Sequence, residues 1–396
     1  MTDLAAAARA LAAFDPLGAL KHVALDDQPH ALALRGVAMA QLGEYATARA
    51  LLRRAARALA SIDPAARARC LGALGELALV ERDLLGAVRA LDAAAEALED
   101  RFNRTFVRLQ RARCSVMLGE LEAAETILDA LDLRPAPARL RAVGALIESE
   151  IAVRRLRAKG ARSALDRARR AAELPSLVAE VERAERDLAA PAARLVRDGV
   201  ERPVALADVE ALTKGKWPPL VIDACRRQLR QGARVVDLVS RPVLLALAST
   251  LGLRGEASRE ELIAAAFGTR RVSESLRVRL RVEIGRLRRA LGDLATIEAT
   301  ASGFALRARD VAVLLPPAQG EASQVLALLR SGGAWSTSAI AASIGLSQRA
   351  IQRALAALAE EGRAESVGAG RSSRWIAKPA DGFATTLLLL ARGPGG

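Results

Sequence analysis

The sequence has few of the residue types that build disulfides, metal sites and catalytic centres. Its 396 residues include three cysteines and two histidines. The cysteines are far apart and show no Cys-x-x-Cys spacing, which argues against both a disulfide framework and a zinc site. His22 and His30 are not paired with a nucleophile, and no phosphate-binding loop is present. We therefore expect a protein that is not an enzyme and that uses no metal and no cofactor.

Long apolar runs and aromatic residues are also scarce. No apolar run approaches the ~20 residues that a membrane-spanning helix needs. The N-terminus lacks the basic and then apolar pattern of a signal peptide. We therefore expect a soluble, cytoplasmic protein with no membrane partner. RNA is harder to exclude, but aromatic residues make up only 3% of the chain and no motif for stacking bases is visible.

Arginine is the residue that the chain has in excess. The net charge is +14, and only five of the 59 basic residues are lysines. A GC-rich genome produces this skew together with abundant alanine, so the total alone is weak evidence. The distribution is more informative, because residues 1–100 hold 11 basic and 13 acidic side chains whereas residues 201–320 hold 20 and 13. This rise predicts an anionic partner for the C-terminal half.

One segment concentrates the positive charge. Residues 270–289 contain eight arginines and two acids, Glu274 and Glu283. Apolar residues recur in this segment at every third or fourth position, which predicts a helix with one buried face. That apolar stripe consists of Leu276, Leu280, Ile284, Leu287 and Leu291. The arginines on the other faces repel one another unless an anion lies between them, so nucleic acid is the first partner to consider.

The N-terminal 175 residues are predicted to form helical repeats. Similar sets of small and large apolar residues recur along the chain, and each set describes two antiparallel helices. Such pairs bury their apolar faces only by stacking on the next pair. The clear sets run from Leu32 to Ala55 and from Leu71 to Ala94, and a weaker third set runs from Leu109 to Leu131. Residues 138–172 are a candidate fourth pair and residues 4–25 a candidate half repeat.

The segment LALRGVAMAQLGEYATARALLRRA, residues 32–55, resembles the tetratricopeptide repeat. Leu32, Gly36, Gly43 and Tyr45 fall at the positions that this family uses. The period is 39 and then 37 residues, longer than the ~34 of the family, and Arg35 occupies a usually apolar position. The resemblance implies a solenoid whose groove docks a protein or peptide. A solenoid that only spaces other domains, or that forms a homodimer, is the alternative.

Residues 176–219 are predicted to be a helical bridge and linker. The stretch VERAERDL places acids and arginines on a solvated helix face, and Pro191 interrupts it. The stretch KGKWPP at residues 214–219 marks a change of structure.

Residues 220–316 follow a different pattern. In ARVVDLVSRP apolar and polar residues alternate, which predicts a short strand, and Pro242 begins a helix. Ser258 and Glu261 form a capping box for the next helix, and the arginine-rich helix comes third. In residues 295–306 apolar and polar residues alternate on both sides of a turn at Ser302–Gly303, which predicts a β-hairpin. A strand, three helices and a hairpin indicate a winged helix-turn-helix domain.

The stretch RLRVEIGRLRRALGDLATIEATASGFAL resembles the effector domain of OmpR/PhoB-type bacterial regulators. The family patterns V-x-I-x-R-L-R-x-x-L and I-x-T-x-x-G-x-G-Y/F-x-L are approximated at Val282, Ile284, Arg286, Leu287, Arg288 and Leu291, and then at Ile297, Gly303, Phe304 and Leu306. The resemblance implies that the arginine-rich helix enters the major groove of DNA. It also implies that the hairpin contacts the adjacent minor groove.

On this geometry five side chains of the arginine-rich helix are predicted to face DNA: Arg279, Val282, Glu283, Arg286 and Arg289. Arginine can contact guanine or clamp a phosphate, and valine can meet a thymine methyl group. Glu283 stands where the family commonly has a histidine. Its carboxylate would repel phosphate but can accept a hydrogen bond from cytosine N4. The alternative is a domain that no longer binds DNA.

Residues 321–379 predict a second winged helix. The stretch STSAIAASIGLSQRAIQRALAALAEEGR has helix-turn-helix spacing, with Gly345 in the turn and Ser347 capping the next helix. ESVGAGRSSRWIA reads as a hairpin. The segment resembles the winged helices of MarR- and ArsR-type repressors, which implies DNA contacts by Gln348, Arg349, Gln352, Arg353, Arg371 and Arg374. Such domains also dock proteins, and this alternative stays open. Residues 380–396 are expected to be a flexible tail.

The expected fold is therefore mainly α, with an α-helical repeat solenoid followed by two winged helix-turn-helix domains that carry small β-hairpins. The expected function is that of a DNA-binding transcriptional regulator whose partners are double-stranded DNA and a protein or peptide at the repeats. The alternative function is a protein-interaction scaffold whose winged helices dock proteins.

Overall fold

The computed structural model describes residues 3–81, 83–214, 218–238, 240–269, 273–316, 321–330, 335–344, 346–367 and 373–377. Within these ranges the chain is mainly helical, with eighteen α-helices and three small sheets, as expected. It divides into two compact units, of which the first comprises mainly Met1–Ile151 and Ala161–Glu185 and the second Ala152–Gly160 and Arg186–Ala380. No helix among the described residues is long and apolar enough to span a membrane.

The repeat region consists of successive helices joined by short turns. The helices are α1 (Leu4–Ala12), α2 (Pro16–Val23), α3 (Pro29–Gln41), α4 (Tyr45–Ala58), α5 (Pro64–Val80), α6 (Leu84–Ala97), α7 (Arg101–Leu118), α8 (Leu121–Asp129), α9 (Ala138–Arg154), α10 (Ala158–Ala171) and α11 (Pro175–Ala189). Five of these helices are capped at their N-terminus by an aspartate whose side chain accepts a hydrogen bond from a backbone N–H. These aspartates are Asp3, Asp15, Asp63, Asp83 and Asp100. The candidate half repeat at residues 4–25 holds two short helices, and the candidate fourth pair corresponds to α9 and α10.

The same interhelix contact recurs in successive helix pairs. A Cβ atom added to Gly36 of α3 would lie 2.7 Å from Cγ of Leu52 on α4, and one added to Gly75 of α5 would lie 2.6 Å from Cγ of Leu91 on α6. Both glycines and both leucines are separated by 39 positions in the sequence. The glycines therefore let each helix pair approach closely enough for a leucine to fill the space between the two backbones.

A six-stranded sheet forms the centre of the second unit. Its strands are β1 (Ala193–Arg197), β2 (Val200–Val204), β3 (Leu220–Asp223), β4 (Gln228–Gln231), β5 (Arg234–Asp237) and β9 (Val311–Leu315), in the order β2-β1-β9-β3-β4-β5. The pair β3–β9 is parallel, and the remaining pairs are antiparallel. Side chains alternate between two cores: Ile222 and Val313 pack into one, whereas Val221 and Leu314 pack into the other.

The segment 176–219 differs from the expected helical bridge and linker. After α11 it forms β1, β2 and the helix α12 (Leu206–Lys214). The β1–β2 turn contains Asp198 and Gly199, both with positive φ, a conformation that glycine adopts without strain. β1 then pairs with β9, more than a hundred residues later, in the register Leu195 to Leu314. The sheet therefore begins before residue 220, where the sequence suggested a domain boundary.

Three helices and a small sheet pack beside the six-stranded sheet. They are α13 (Pro242–Arg254), β6 (Glu256–Ser258), α14 (Arg259–Phe267), α15 (Glu274–Leu291), β7 (Thr296–Ala299) and β8 (Gly303–Arg307), with the strand order β6-β8-β7. Pro242 is at the start of α13 and the Ser258–Glu261 capping box is complete, as predicted. The hairpin turn lies one residue earlier than predicted, because Gly303 already begins β8. A Cβ atom at Gly303 would lie 1.9 Å from the Ala257 carbonyl oxygen, so only glycine fits there.

The C-terminal part has its own small core. It comprises α16 (Glu321–Arg330), α17 (Thr337–Ile344), α18 (Gln348–Glu360), β10 (Ala364–Val367) and β11 (Arg374–Ala377). Its buried residues include Val325, Leu329, Ile340, Ile351 and Leu355. Ser347 caps α18 by accepting from the Ala350 N–H at 3.2 Å, as predicted. The predicted turn residue Gly345, the hairpin tip with Arg371 and the tail at residues 380–396 lie outside the described residues.

We expect Gly75→Ala to destabilise the repeat region by about 1–3 kcal/mol, because the new methyl group overlaps Leu91 in a closely packed interface. Thermal unfolding followed by circular dichroism would measure the loss as a lower Tm. Gly160→Ala is the matched control, since its Cβ atom would make only ordinary contacts of 3.6 and 3.7 Å. A Tm for Gly75→Ala equal to that of the control would contradict the proposed role of this glycine.

Candidate nucleic-acid interface

The arginine-rich helix α15 begins at Glu274 and is held by its apolar stripe. The Ser273 hydroxyl caps the helix by accepting from the Leu276 N–H at 3.3 Å. Leu280, Ile284, Leu287 and Leu291 are at most 1% exposed, and Leu276 packs at the edge of the same core. The predicted buried face is therefore confirmed. Burial of four large side chains fixes the rotation of the helix about its axis, and this rotation decides which other side chains face solvent.

The face opposite the leucine stripe is not the most basic one. At about 100° per residue, the side chains that point directly away from the core are Ser275, Val278, Val282, Gly285 and Arg289. Val278 and Val282 are 48% and 49% exposed. Arginines lie on the two flanks, with Arg277 and Arg281 on one side and Arg279 and Arg286 on the other. Two rows of guanidinium groups therefore border an apolar strip.

Most of the flanking arginines have a partner within the chain. Arg277 and Arg281 both approach Glu274, with N···O distances of 3.6 and 3.4 Å. The guanidinium carbon of Arg279 lies 4.7 Å from the ring centroid of Phe267, a cation–π contact with the end of α14. Arg277 also lies 4.0 Å from Glu260 of α14. The six exposed arginines of α15 still outnumber these acids, so the net charge of this surface stays positive.

Glu283 does not stand on the exposed face where the sequence suggested it. The residue is 9% exposed, and its carboxylate accepts a hydrogen bond from Arg286 Nη1 at 2.8 Å. Position 283 lies only about 60° from the centre of the buried stripe, so its side chain packs at the edge of the core. Its charge offsets that of Arg286, whose side chain is 55% exposed.

Two further arginines hold the β7–β8 hairpin in place, a role that no sequence pattern predicted. Arg288 Nε donates to the Ile297 carbonyl oxygen at 2.8 Å. Arg259 Nη1 donates to the Ala301 carbonyl oxygen at 2.8 Å. Both guanidinium carbons also lie 5.9 Å from the Phe304 ring centroid. These arginines fix the hairpin against α14 and α15, so they contribute to the shape of the surface.

The capping box at the start of α14 contains a titratable group. The Ser258 backbone N–H donates to the Glu261 carboxylate at 2.9 Å, and the Glu261 N–H donates to the Ser258 hydroxyl at 3.2 Å. The backbone hydrogen bond, followed by the contact with the Ser258 hydroxyl, lowers the pKa of Glu261 below its ordinary value near 4.5. The ionised carboxylate is therefore the form that the folded helix favours.

The second candidate surface is the N-terminal half of α18. The predicted side chains Gln348, Arg349, Gln352 and Arg353 are all exposed. Arg353 Nη2 lies 3.3 Å from Glu321 on α16. Arg374, which was also predicted to contact DNA, is exposed but lies at the start of β11 and not on α18. The structure thus places the four α18 residues on one exposed helix face, as the spacing suggested.

A cation–π contact joins the six-stranded sheet to this C-terminal part. The guanidinium carbon of Arg227, in the β3–β4 turn, lies 4.7 Å from the Trp335 ring centroid. Burial lowers the pKa of Arg227, and the aromatic face offsets part of that cost. Trp335 also exchanges backbone hydrogen bonds with Trp375 of β11. The parts of the second unit that carry the two candidate surfaces are therefore in contact with one another through residues outside those surfaces.

The described residues offer little for metal or thiol chemistry. No group of three histidine, cysteine or acidic side chains in the described ranges is arranged to hold a metal ion. Burial raises the pKa of the Cys70 thiol to about 12 and that of Cys114 to about 11. Both thiols are therefore protonated, which makes them poor nucleophiles.

Comparison with known proteins gives no relative: no family model, no curated protein and no solved structure matches the chain.

We expect the stability that Glu261 contributes to depend on pH. Its folded-state pKa is lowered, so the contribution is present above the ordinary value and is lost as the pH falls through the lowered one. Glu261→Gln should therefore lower the Tm at neutral pH, and the Tm values of the two proteins should converge as the pH falls through the lowered pKa of Glu261. Glu96→Gln is the control, because Glu96 is exposed near the C-terminal end of α6 and takes no part in a helix cap. A Tm difference that stays constant with pH would show that the carboxylate charge has no part in the cap.

Proposed function

We propose that this chain is a DNA-binding transcriptional regulator, in which helical repeats dock a protein or peptide and two winged helix-turn-helix domains bind duplex DNA. The observation that carries the proposal is the surface of α15. Four large apolar side chains anchor the helix, and its six arginines are all exposed while Glu283, one of its two acids, is buried. A surface of this kind is complementary to a polyanion.

The order of the elements supports a winged helix assignment for the first domain. A short strand, β6, separates α13 from α14, and the β7–β8 hairpin follows α15 directly and pairs with β6. In such domains the third helix enters the major groove and the hairpin acts as the wing beside it. On this assignment Arg259 and Arg288 hold the wing at a fixed position relative to α15.

The exposed face of α18 supports a second DNA-binding surface. Gln348, Arg349 and Gln352 lie in the first turns of the helix, which is where recognition helices contact base edges. Glutamine can bind adenine with two hydrogen bonds and arginine can bind guanine in the same way. The Arg227–Trp335 contact would then keep the two DNA-contacting helices, α15 and α18, at a fixed separation.

The recurrent helix pairs support the assignment of the N-terminal half as a tetratricopeptide-like solenoid. The same glycine–leucine contact in two successive pairs is the close packing that stacked helical repeats require. Solenoids of this type bind extended partners along a surface built from many repeats. A protein or peptide bound there is the proposed input to the regulator.

A protein-interaction scaffold is the rival function, and one observation favours it. Val278 and Val282 are half exposed on α15, and a protein partner would bury such side chains. The arginines on both flanks oppose this reading, because an apolar partner would have to desolvate them without neutralising their charge.

Duplex binding should be strong at low salt and should weaken steeply as salt is added, since arginine–phosphate contacts release counterions. A gel-shift titration of the full chain on random-sequence duplex at several salt concentrations would measure this. Arg289→Ala should weaken binding and reduce the slope of log K against log salt by about one. Arg289 is a better target than Arg286, whose removal would leave Glu283 buried without its partner.

The control is Arg53→Ala, which removes an exposed arginine from α4 of the repeat region and should leave the titration unchanged. Arg349→Ala tests the second domain in the same assay and should weaken binding if α18 contacts DNA. An absence of duplex binding at low salt would exclude the DNA function and favour the scaffold. An effect of Arg289→Ala without one of Arg349→Ala would assign DNA binding to the first domain alone.

A further inference from the structure

Between Ser275 and Arg289 the outermost face of α15 is apolar, although the helix as a whole is strongly basic. We call Val278, Val282 and Gly285 the outward strip. The two valines are 48% and 49% exposed and follow one another at a spacing of four, so they lie on the same side of the helix. They point away from the leucine stripe and pack against no part of the core. A face built only for solvation would carry polar side chains at these positions.

Gly285 is the third member of the strip, and nothing inside the chain requires a glycine there. It lies in the interior of an 18-residue helix, where glycine is less stable than alanine. A Cβ atom at this position would have no neighbour within 4 Å. Its φ is not positive, so no backbone strain calls for glycine either. The remaining physical reason is close approach by something outside the chain.

The charges beside the strip identify the chemistry of that occupant. Arg277 and Arg281 border it on one side, Arg279 and Arg286 border it on the other, and Arg289 follows at its end. A second copy of α15 would bring two such sets of arginines together and be repelled. The major groove of duplex DNA has phosphates along both edges and base edges on its floor, and it is wide enough to admit a helix. Its charge pattern matches that of α15 across the helix.

We propose that the outward strip reads the 5-methyl groups of thymine in the major groove, with Gly285 providing the room for α15 to approach the bases. The inference rests on the proposed function, that α15 binds duplex DNA, and deepens it by naming the base chemistry that is read. It assigns base contact to Val278 and Gly285 in addition to Val282. The flanking arginines then face the phosphates of the two strands.

The test compares duplexes that differ only in the thymine methyl group. Duplexes are first enriched from a randomised library on the full chain, and the enriched pool is then copied with either thymidine or deoxyuridine triphosphate. Each buried methyl group should strengthen binding by about fourfold. The wild-type protein should therefore bind the thymine pool more tightly than the uracil pool at the same salt concentration.

Two variants sharpen the comparison. Val278→Ser/Val282→Ser should bind both pools with the affinity that the wild-type protein has for uracil, whereas Val200→Ser, which changes an exposed valine on β2, should behave as wild type. Gly285→Ala should raise the Tm, because alanine is the better helix former, and should weaken binding to the thymine pool. Opposite effects on stability and binding would not arise if Gly285 were only a structural residue.

Equal affinity of the wild-type protein for the two pools, with salt-dependent duplex binding retained, would overturn this inference and leave the proposed function intact. Gly285→Ala binding as tightly as wild type would remove the role given to that residue. A complete absence of duplex binding would overturn both the inference and the proposed function.

Discussion

Burial of the leucine stripe of α15 is the constraint on which the candidate surface depends. Leu280, Ile284, Leu287 and Leu291 are almost fully inaccessible, so the helix cannot rotate about its axis without exposing them. A rotation by one residue, about 100°, would carry an arginine flank into the core at a prohibitive desolvation cost. The stripe therefore determines, without any direct contact, that the arginines lie on the flanks and the valines face outward. Arg288 extends this control to the hairpin through its bond to the Ile297 carbonyl.

Local features of the sequence predicted the parts of the fold that local physics decides. The apolar period of α15, the start of α13 at Pro242 and the Ser258–Glu261 cap each depend on neighbouring residues, and each was predicted. Only β5 of the six-stranded sheet was predicted, as the short strand in ARVVDLVSRP. The other five strands were missed. β1, for example, is defined by pairing with β9, and pairing across more than a hundred residues leaves no periodic signal. The stretch KGKWPP at residues 214–219 indicated only that the structure changes in this part of the chain.

The candidate site was also predicted only where local spacing decides its structure. Spacing alone identified the helix and its basic character. It did not identify which edge of the stripe is covered, since positions about 60° to either side of the centre are equivalent on a helical wheel. The elements packed against α15 decide this, and they bury Glu283. The same reasoning explains why the outward strip was only partly recognised: Val282 was predicted, whereas Val278 and Gly285 were not, because apolar residues in a basic helix are normally assigned to the core.

The partners of the arginines suggest how a helix of this charge is stable without a ligand and still open to one. Arg277 and Arg281 share the exposed Glu274, and exposed ion pairs of this kind contribute about 0–1 kcal/mol. A phosphate can replace Glu274 at little cost. Glu283 is different, because its side chain is 11% exposed and its carboxylate is bonded to Arg286, so the pair is costly to separate. In the proposed complex Arg286 would therefore keep this bond and offer only its remaining donors. Arg277 and Arg281 would exchange Glu274 for phosphate, and Arg289 would bind phosphate directly. Affinity for phosphate would then be concentrated on one flank and at the C-terminal end of α15.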